Sequence, residues 1–268
     1  MTAKRPGGMK LRDQAYQRFT RGLLEREIRA GQFVSQRELT EITGMPLGAI
    51  RELIPRLEAD GLIRTVPQRG MQIAQVDVRL IRDAFGFRVM IEREAAAQFA
   101  LHAPDEALRR LRDEHDAVLA AAANGATPAL IAKAQAVDDG MHATIVDALG
   151  NEIVSNAWRV NQLKIRLIRQ SETRLYADLV APVMRVHLGV IDAFASRDPA
   201  RAAAAMEAHI AASRDRALGV GDDAGAASTK RARAPRAGTA VPDTAGTRSS
   251  RRDEPRAAAP RSNRGGKR

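Results

Sequence analysis

The chain has 268 residues, no cysteine and a formal net charge of +11 at neutral pH. This length fits two ordinary domains, or one domain with appendages. The lack of cysteine excludes a disulfide framework and a thiolate metal site. No apolar run approaches the ~20 residues needed to span a bilayer, and the first residues lack the apolar segment of a signal peptide. We therefore expect a cytoplasmic, reducing location and no membrane partner.

The positive charge is concentrated at the two ends of the chain. Residues 1–75 hold 13 Lys and Arg against 8 Asp and Glu, residues 76–229 hold 18 against 21, and residues 230–268 hold 12 against 3. This distribution indicates two regions that could contact nucleic acid, separated by one that does not.

Residues 1–75, called the head below, begin with two predicted helices. Apolar residues at helical spacing predict the first helix over residues 11–30. Ser35 and Glu38 form a capping box, which predicts the start of a second helix. Gly44 should end that helix, because glycine readily adopts the left-handed conformation found after a helix.

A third helix and a hairpin complete the predicted head. Pro55 lies inside the helix and should kink or shorten it, because proline lacks the backbone N–H. Residues 62–65 and 71–74 are predicted strands around a turn at 67–70. This order is that of a winged helix-turn-helix, although a small helical domain with solvated arginines is the alternative. Arginines on or near these elements are Arg37, Arg51, Arg56, Arg64 and Arg69.

The head resembles the DNA-binding head of the GntR family of bacterial transcription regulators over roughly residues 10–75. The segment that carries the resemblance is R-E-L-T-E-I-T-G-M-P-L-G-A-I-R-E-L-I-P-R-L-E-A-D-G-L-I-R-T-V-P-Q-R-G-M-Q-I. The family usually opens its recognition helix with Ser-Arg-Thr-Pro, whereas residues 46–49 here read Pro-Leu-Gly-Ala. Leu47 cannot donate a hydrogen bond to guanine, so the operator sequence is not predicted. The expected DNA-binding residues are Arg37, Arg51, Arg69 and Gly70.

Residues 76–218, called the body below, are predicted to be helical throughout. Pro182 marks one boundary, and the pairs Thr127-Pro128 and Asp198-Pro199 are typical helix starts. The segments are too short for a long coiled coil, so we expect a compact antiparallel helical bundle. The six predicted helices span residues 77–101, 104–123, 127–149, 152–173, 182–196 and 199–217.

Four residues of the body could form a metal site. Asp138 and His142 are four apart on a predicted helix, so their side chains leave the same face. His187 and His209 lie on two later helices that could meet in a hairpin. Nitrogen ligands with one oxygen suit a divalent metal, Zn²⁺ first and Ni²⁺ or Mn²⁺ as alternatives. On spacing alone, these could also be core or surface histidines with unrelated roles.

The body resembles the all-helical effector-binding and dimerisation domain of the FadR branch of the GntR family. The resemblance rests on F-R-V-M-I-E-R-E-A-A-A, D-D-G-M-H-A-T-I-V-D-A-L-G-N and V-H-L-G-V-I-D-A-F-A-S-R-D-P-A-R-A-A-A-A-M-E-A-H-I. It covers about 140 residues and implies a divalent metal in the bundle cavity. The implied ligands are Asp138, His142, His187 and His209.

Two further features of the body have competing interpretations. Arg88 and Glu92, one turn apart, form either an ordinary helix-face salt bridge or a cavity site in which Arg88 pairs with an effector carboxylate. His102 and His115 lie near a helix end and on a charged face, so both are expected to be solvated. Residues 219–268, called the tail below, carry almost no large apolar side chains and are expected to be disordered. The tail either raises non-specific DNA affinity or is an inert extension.

These features predict a mainly α-helical protein with the domains 1–75, 76–218 and 219–268. We expect a bacterial, nucleoid-associated transcription regulator, a repressor, that binds a double-stranded DNA operator as a homodimer and responds to a small carboxylate effector. An enzyme is not expected. The alternatives are a metal-dependent hydrolase-type enzyme and a nucleic-acid-binding protein without an effector. The effector, the metal and the direction of regulation are not fixed by the residues.

Overall fold

The computed structural model describes residues 11–25, 27–123, 125–171 and 177–220, and these residues are mostly helical. The tail beyond residue 220, predicted to be disordered, lies outside the described residues. The predicted domain limits at 75/76 and 218/219 stay predictions. None of the described helices combines the length and the apolar character needed to cross a membrane.

The head contains three helices and a small antiparallel sheet in the strand order β1-β3-β2. The capping box at Ser35 and Glu38 is present, and Gly44 ends the second helix with a φ of +61°. The first helix stops at Leu24, before the predicted end at residue 30. The elements are α1 (Leu11–Leu24), β1 (Phe33–Val34), α2 (Gln36–Thr43), α3 (Leu47–Ala59), β2 (Ile63–Val66) and β3 (Gly70–Ile73).

Pro55 was predicted to kink or shorten the third helix. It does not shorten it, because α3 continues through Pro55 to Ala59; the kink stays a prediction. Proline removes the hydrogen bond to the carbonyl of Arg51, four residues earlier. Both residues lie on the exposed side of the helix, where water can satisfy that carbonyl.

The body is a bundle of six helices within the described residues. The longest, α4, packs chiefly against α9, while α5 packs against α8. Pro182 was predicted to begin a helix, but it lies inside α8 as its sixth residue. The helices are α4 (Val78–His102), α5 (Asp105–Ala122), α6 (Pro128–Asp147), α7 (Glu152–Ser171), α8 (Ala177–Ala195) and α9 (Pro199–Ala217).

Helix α7 links the body to the head. Leu163 and Leu167 belong to α7, yet both are buried in the apolar core of the head. One turn further along, the side-chain amide of Gln170 donates a hydrogen bond to the carbonyl of Leu23 at the end of α1. These three residues recur at helical spacing, so they lie on one face of α7, and the head packs against that face.

Candidate functional site

The four predicted metal ligands meet in the interior of the body. One ligand atom from each side chain lies within 4.8 Å of the other three. All four residues are buried, with exposed fractions of 5% or less. The residues are Asp138 and His142 on α6, His187 on α8 and His209 on α9.

Local sequence explains this convergence. Asp138 and His142 project from one face of α6 because they are one turn apart. Helices α8 and α9 form a hairpin. The side chain of Asp198 caps the start of α9 by accepting hydrogen bonds from the backbone N–H groups of Ala200 and Arg201, which have no carbonyl partner within the helix. The hairpin places the rings of His187 and His209 edge to face, with centroids 4.6 Å apart.

The separations between the donor atoms fit one small cation. His142 Nε2 lies 3.2 Å from His209 Nε2 and 3.8 Å from Asp138 Oδ1. Ligands at about 2.0–2.1 Å from a tetrahedral Zn²⁺ are about 3.4 Å apart. His187 Nε2 is 3.2 Å from Asp138 Oδ1 but is not aligned for a hydrogen bond with any described residue. A buried nitrogen without a partner is what a missing cation would leave behind.

The protonation states of these residues suit metal binding. Burial lowers the pKa of His187 to about 4, although Asp138 opposes the shift, and burial also holds the pKa of His209 well below its usual range. Burial would raise the pKa of Asp138, but Arg169 and His187 outweigh it and hold that pKa well below its usual range. At neutral pH His187 and His209 are therefore neutral imidazoles and Asp138 is a carboxylate, the forms that bind metals.

Arg88 and Glu92 form a fully buried ion pair beside these ligands. Arg88 Nε and Nη2 lie 2.7 and 3.2 Å from the two carboxylate oxygens of Glu92. Glu92 also accepts a hydrogen bond of 2.7 Å from Trp158 Nε1 and lies 2.7 Å from His142 Nδ1. Burial would raise the pKa of Glu92, but Arg88 and His142 outweigh it and hold that pKa well below its usual range.

The two interpretations of Arg88 are therefore not exclusive. It forms the salt bridge with Glu92, yet it lies in the interior next to the proposed ligands rather than on a solvated helix face. Its third nitrogen, Nη1, is buried and has no hydrogen-bond partner among the described residues. An unpaired buried guanidinium donor is a ready partner for a carboxylate.

A second arginine secures the carboxylate ligand. Arg169 on α7 pairs with Asp138 Oδ2 and lies 3.4 Å from the neighbouring Asp139. Arg166, one turn earlier on α7, binds Asp139 at 2.9 Å. Asp138 thus keeps Oδ1 facing the histidines while α7 holds its other oxygen.

The prediction that His115 is solvated was wrong, whereas His102 is exposed as predicted. His115 is fully buried and lies 3.2 Å from His187 through Nε2. Its charged neighbours, R-D-E-H-D, suggested a polar face. The signal that could have placed it inside is its spacing from Leu108, Leu111 and Val118, which form the buried stripe of α5.

Two of the predicted DNA-binding arginines lie exposed on the helix-turn-helix. Arg37 contacts Glu41, one turn along α2, at 3.1 Å. Arg51 on α3 is 3.4 Å from Gln36 on α2. Both guanidinium groups remain accessible, as does Leu47 at the start of α3 with 42% of its surface exposed.

The hairpin of β2 and β3, called the wing below, carries the third predicted arginine. The guanidinium of Arg69 stacks on Phe33 at 4.3 Å from the ring centroid and stays exposed. Gly70 has a φ of +89°, and a Cβ atom there would lie 2.9 Å from the carbonyl oxygen of Val34. Gly70 is therefore required by the pairing of β3 with β1.

The other two arginines of the head make internal contacts. Arg56 binds Asp13 at 3.1 Å and covers the ring of Tyr16 at 3.8 Å. Arg64 binds the side-chain oxygen of Gln72 across the sheet at 2.9 Å. These contacts tie α1 to α3 and β2 to β3, so both arginines have a structural role.

Comparisons with known proteins place this geometry in a family. Residues 83–212 match the model of the FCD domain. An uncharacterised HTH-type transcriptional regulator of Agrobacterium vitis, from the TAR-I ttuE-ttuC' intergenic region, is 30% identical over 112 residues, which are 41% of this chain and 63% of that protein. The chain thus spans less than two thirds of the length of this relative.

Two solved structures share the fold of the head and body together. E. coli McbR/YncC superposes with a TM-score of 0.64 at 14% identity, covering 79% of this chain and 99% of the other. A GntR transcriptional regulator from Rhodococcus sp. RHA1 superposes with a TM-score of 0.65, with the same identity and coverage. The chain contains an FCD domain at residues 83–212, and its winged head and helical body share the fold of these two regulators, in agreement with the predicted resemblance to the GntR family.

Proposed function

We propose that this protein is a dimeric, ligand-responsive repressor whose head binds an operator and whose body binds a divalent metal and a small carboxylate. The observation that carries the proposal is the buried convergence of one aspartate and three histidines within 4.8 Å, in a chain that also has a winged helix-turn-helix. A buried site with unpartnered donors next to a DNA-binding fold is suited to sensing a small molecule.

The accessible arginines of the head support operator binding. Arg51 projects from α3, the recognition helix, and can reach base edges in the major groove. Arg37 and Arg69 lie on α2 and on the wing, where contacts to phosphates position the head. Two such heads in a dimer would read two half-sites about one helical turn apart.

Asp138, His142, His187 and His209 would hold the metal. Zn²⁺ matches three imidazoles and one carboxylate best, with Ni²⁺ and Mn²⁺ as alternatives. When bound, the metal would supply a positive charge that attracts a carboxylate effector. Arg88 Nη1, buried and without a partner among the described residues, would donate to the same carboxylate effector.

Helix α7 offers a direct route from the site to the head. On one face, Arg169 contacts the proposed ligand Asp138. On another, Leu163 and Leu167 lie in the core of the head. Binding that moves Asp138 would therefore move α7 and the head that packs against it. The size of the response is then set by the difference in effector affinity between the head positions before and after this movement.

The proposal is tested by removing two ligands, His187→Ala and His209→Ala, with the exposed His102→Ala as the matched control. Metal content after mild dialysis is measured by plasma emission, together with thermal unfolding and operator binding. We expect the double variant to lose metal and to melt at a lower temperature, because a metal bound only to the folded state stabilises it by about 4 kcal/mol at a thousandfold excess over Kd.

Operator binding without effector should survive in the double variant, since His187 and His209 lie outside the apolar core of the head. Equal metal content in the wild type and the double variant would overturn the metal site. A wild type that contains no metal but still binds the operator would leave a DNA-binding protein without this sensor. Turnover of a bound carboxylate by the purified protein would indicate an enzyme instead.

A further inference from the structure

The buried His115 has no role in the proposed ligand set, yet it contacts one of the ligands. Its ring packs edge to face against His187, with centroids 5.2 Å apart. Its Nδ1 lies 2.6 Å from the carbonyl oxygen of Leu111, and its Nε2 lies 3.2 Å from His187 Nδ1. Three groups are therefore joined in a line: a carbonyl on α5, His115 and His187.

The hydrogen positions along this line follow from the carbonyl at its end. A carbonyl oxygen can only accept, so His115 Nδ1 carries a proton and donates it to Leu111. In a neutral ring Nε2 then has a lone pair and accepts. The donor facing it is His187 Nδ1, so the proton of His187 lies on Nδ1 and its lone pair lies on Nε2.

The opposite tautomer of His187 is disfavoured by the same contacts. With its proton on Nε2, His187 would direct a lone pair from Nδ1 at the lone pair of His115 Nε2. Protonating His115 would remove that conflict but would place a positive charge on a residue with no exposed surface. In the favoured tautomer the Nε2 lone pair and Asp138 Oδ1 face each other at 3.2 Å, so both are acceptors that a cation between them would bind.

We propose that His115 is a positioning residue that holds His187 in the tautomer whose Nε2 binds the metal. This inference rests on the proposed metal site. Glu92 lies against His142 in a comparable place, 2.7 Å from its Nδ1. His115 differs from Glu92 in adding no charge, and its own orientation is fixed by a backbone carbonyl. Partners of this kind commonly change metal affinity roughly 10–100-fold when they are removed.

The test compares two substitutions at residue 115. His115→Phe keeps a ring of similar size but removes the acceptor, whereas His115→Gln can place its amide oxygen near the position of Nε2. Zn²⁺ alone is titrated against a chromophoric chelator. We expect His115→Phe to bind Zn²⁺ roughly 10–100-fold more weakly, and His115→Gln to bind close to the wild type. The exposed His102→Phe is the control.

A second measurement uses the metal-free wild type, so it does not depend on the folding of a variant. Two-bond ¹H–¹⁵N correlation spectra of protein labelled at histidine report which ring nitrogen is protonated. We expect His187 to carry its proton on Nδ1 in the wild type, and the Nε2-protonated form to become populated in His115→Phe.

The proposal is overturned if metal-free His187 is protonated at Nε2, or if a folded His115→Phe variant binds Zn²⁺ as tightly as the wild type. These results differ from a failure of the metal site itself. If the wild type binds no Zn²⁺ while His187 carries its proton on Nδ1, the metal site fails but the tautomer assignment stands. If His115→Gln binds as weakly as His115→Phe, the acceptor is not what matters and the positioning role is refuted.

Discussion

Replacing Glu92 with glutamine tests the buried charges of the body. Glu92 has no exposed surface, and its two oxygens face Arg88, Trp158 and His142 at 2.7–3.2 Å. The amide of Glu92→Gln keeps one acceptor but places an NH₂ group against a donor of Arg88 or Trp158. It also leaves the Arg88 guanidinium without a countercharge in the interior.

Removing one partner of a buried ion pair costs about 3–5 kcal/mol, because the other charge is left uncompensated. The described head and body have the size of proteins that lose about 2–4 °C per kcal/mol, so the melting temperature should fall by roughly 6–20 °C. Circular dichroism melts with a chelator present measure this without any contribution from metal.

Glu94→Gln is the matched control, because Glu94 is on the same helix, is exposed and binds only Gln98 in the described structure. It should change the unfolding free energy by no more than about 0.5 kcal/mol. If Glu92→Gln changes the unfolding free energy equally little, the carboxylate of Glu92 is not needed to neutralise the buried charge of Arg88. The double variant Arg88→Met, Glu92→Met should cost less than the sum of the two single variants, since it leaves no orphaned charge.

Three further predictions follow from the head and the histidines. Gly70→Ala should destabilise by about 1–3 kcal/mol in thermal melts, because φ is +89° there, whereas Gly48→Ala, with open space around it, should not. Arg51→Ala should weaken binding to an operator selected from random DNA by roughly 1–3 kcal/mol; unchanged affinity would exclude base contact. Without metal, stability should fall as the pH drops from about 6.5, the pKa of an unperturbed histidine, towards about 4, the pKa of His187 in the folded protein. In this range unfolding takes up a proton, so acid favours the unfolded state. A melting temperature that does not change with pH over this range would contradict the prediction.

The periodicity of apolar residues was sufficient to predict most of the helices, whereas the proposed ligand set depended on residue spacing together with the family resemblance. Asp138 and His142 share a face of α6 because of their spacing alone, and the start of α9 was predicted from Asp198-Pro199. What periodicity could not supply was pairing at a distance. Strand β1 is two residues long and exists only because Phe33 and Val34 meet β3.

Errors came from residues whose local preference is overridden by packing. Pro55 and Pro182 break isolated helices, but each lies on an exposed helix face where the lost hydrogen bond meets water. His115 lies among charged residues that predict a solvated face, whereas its own side chain points inward with Leu111. The contact between His115 and His187 joins α5 to α8 across 72 sequence positions, and no local sequence pattern predicts it.

The depth of the four-residue site has a kinetic consequence. Because each proposed ligand is 5% exposed or less, a cation could enter or leave only when helices of the bundle separate briefly. Such openings cost up to the full free energy of unfolding in well-packed cores. Metal exchange would then be timed by these openings and not by the concentration of metal outside. A metal captured during folding would leave only slowly, and the protein would behave as a resident metalloprotein and not as a gauge of metal supply.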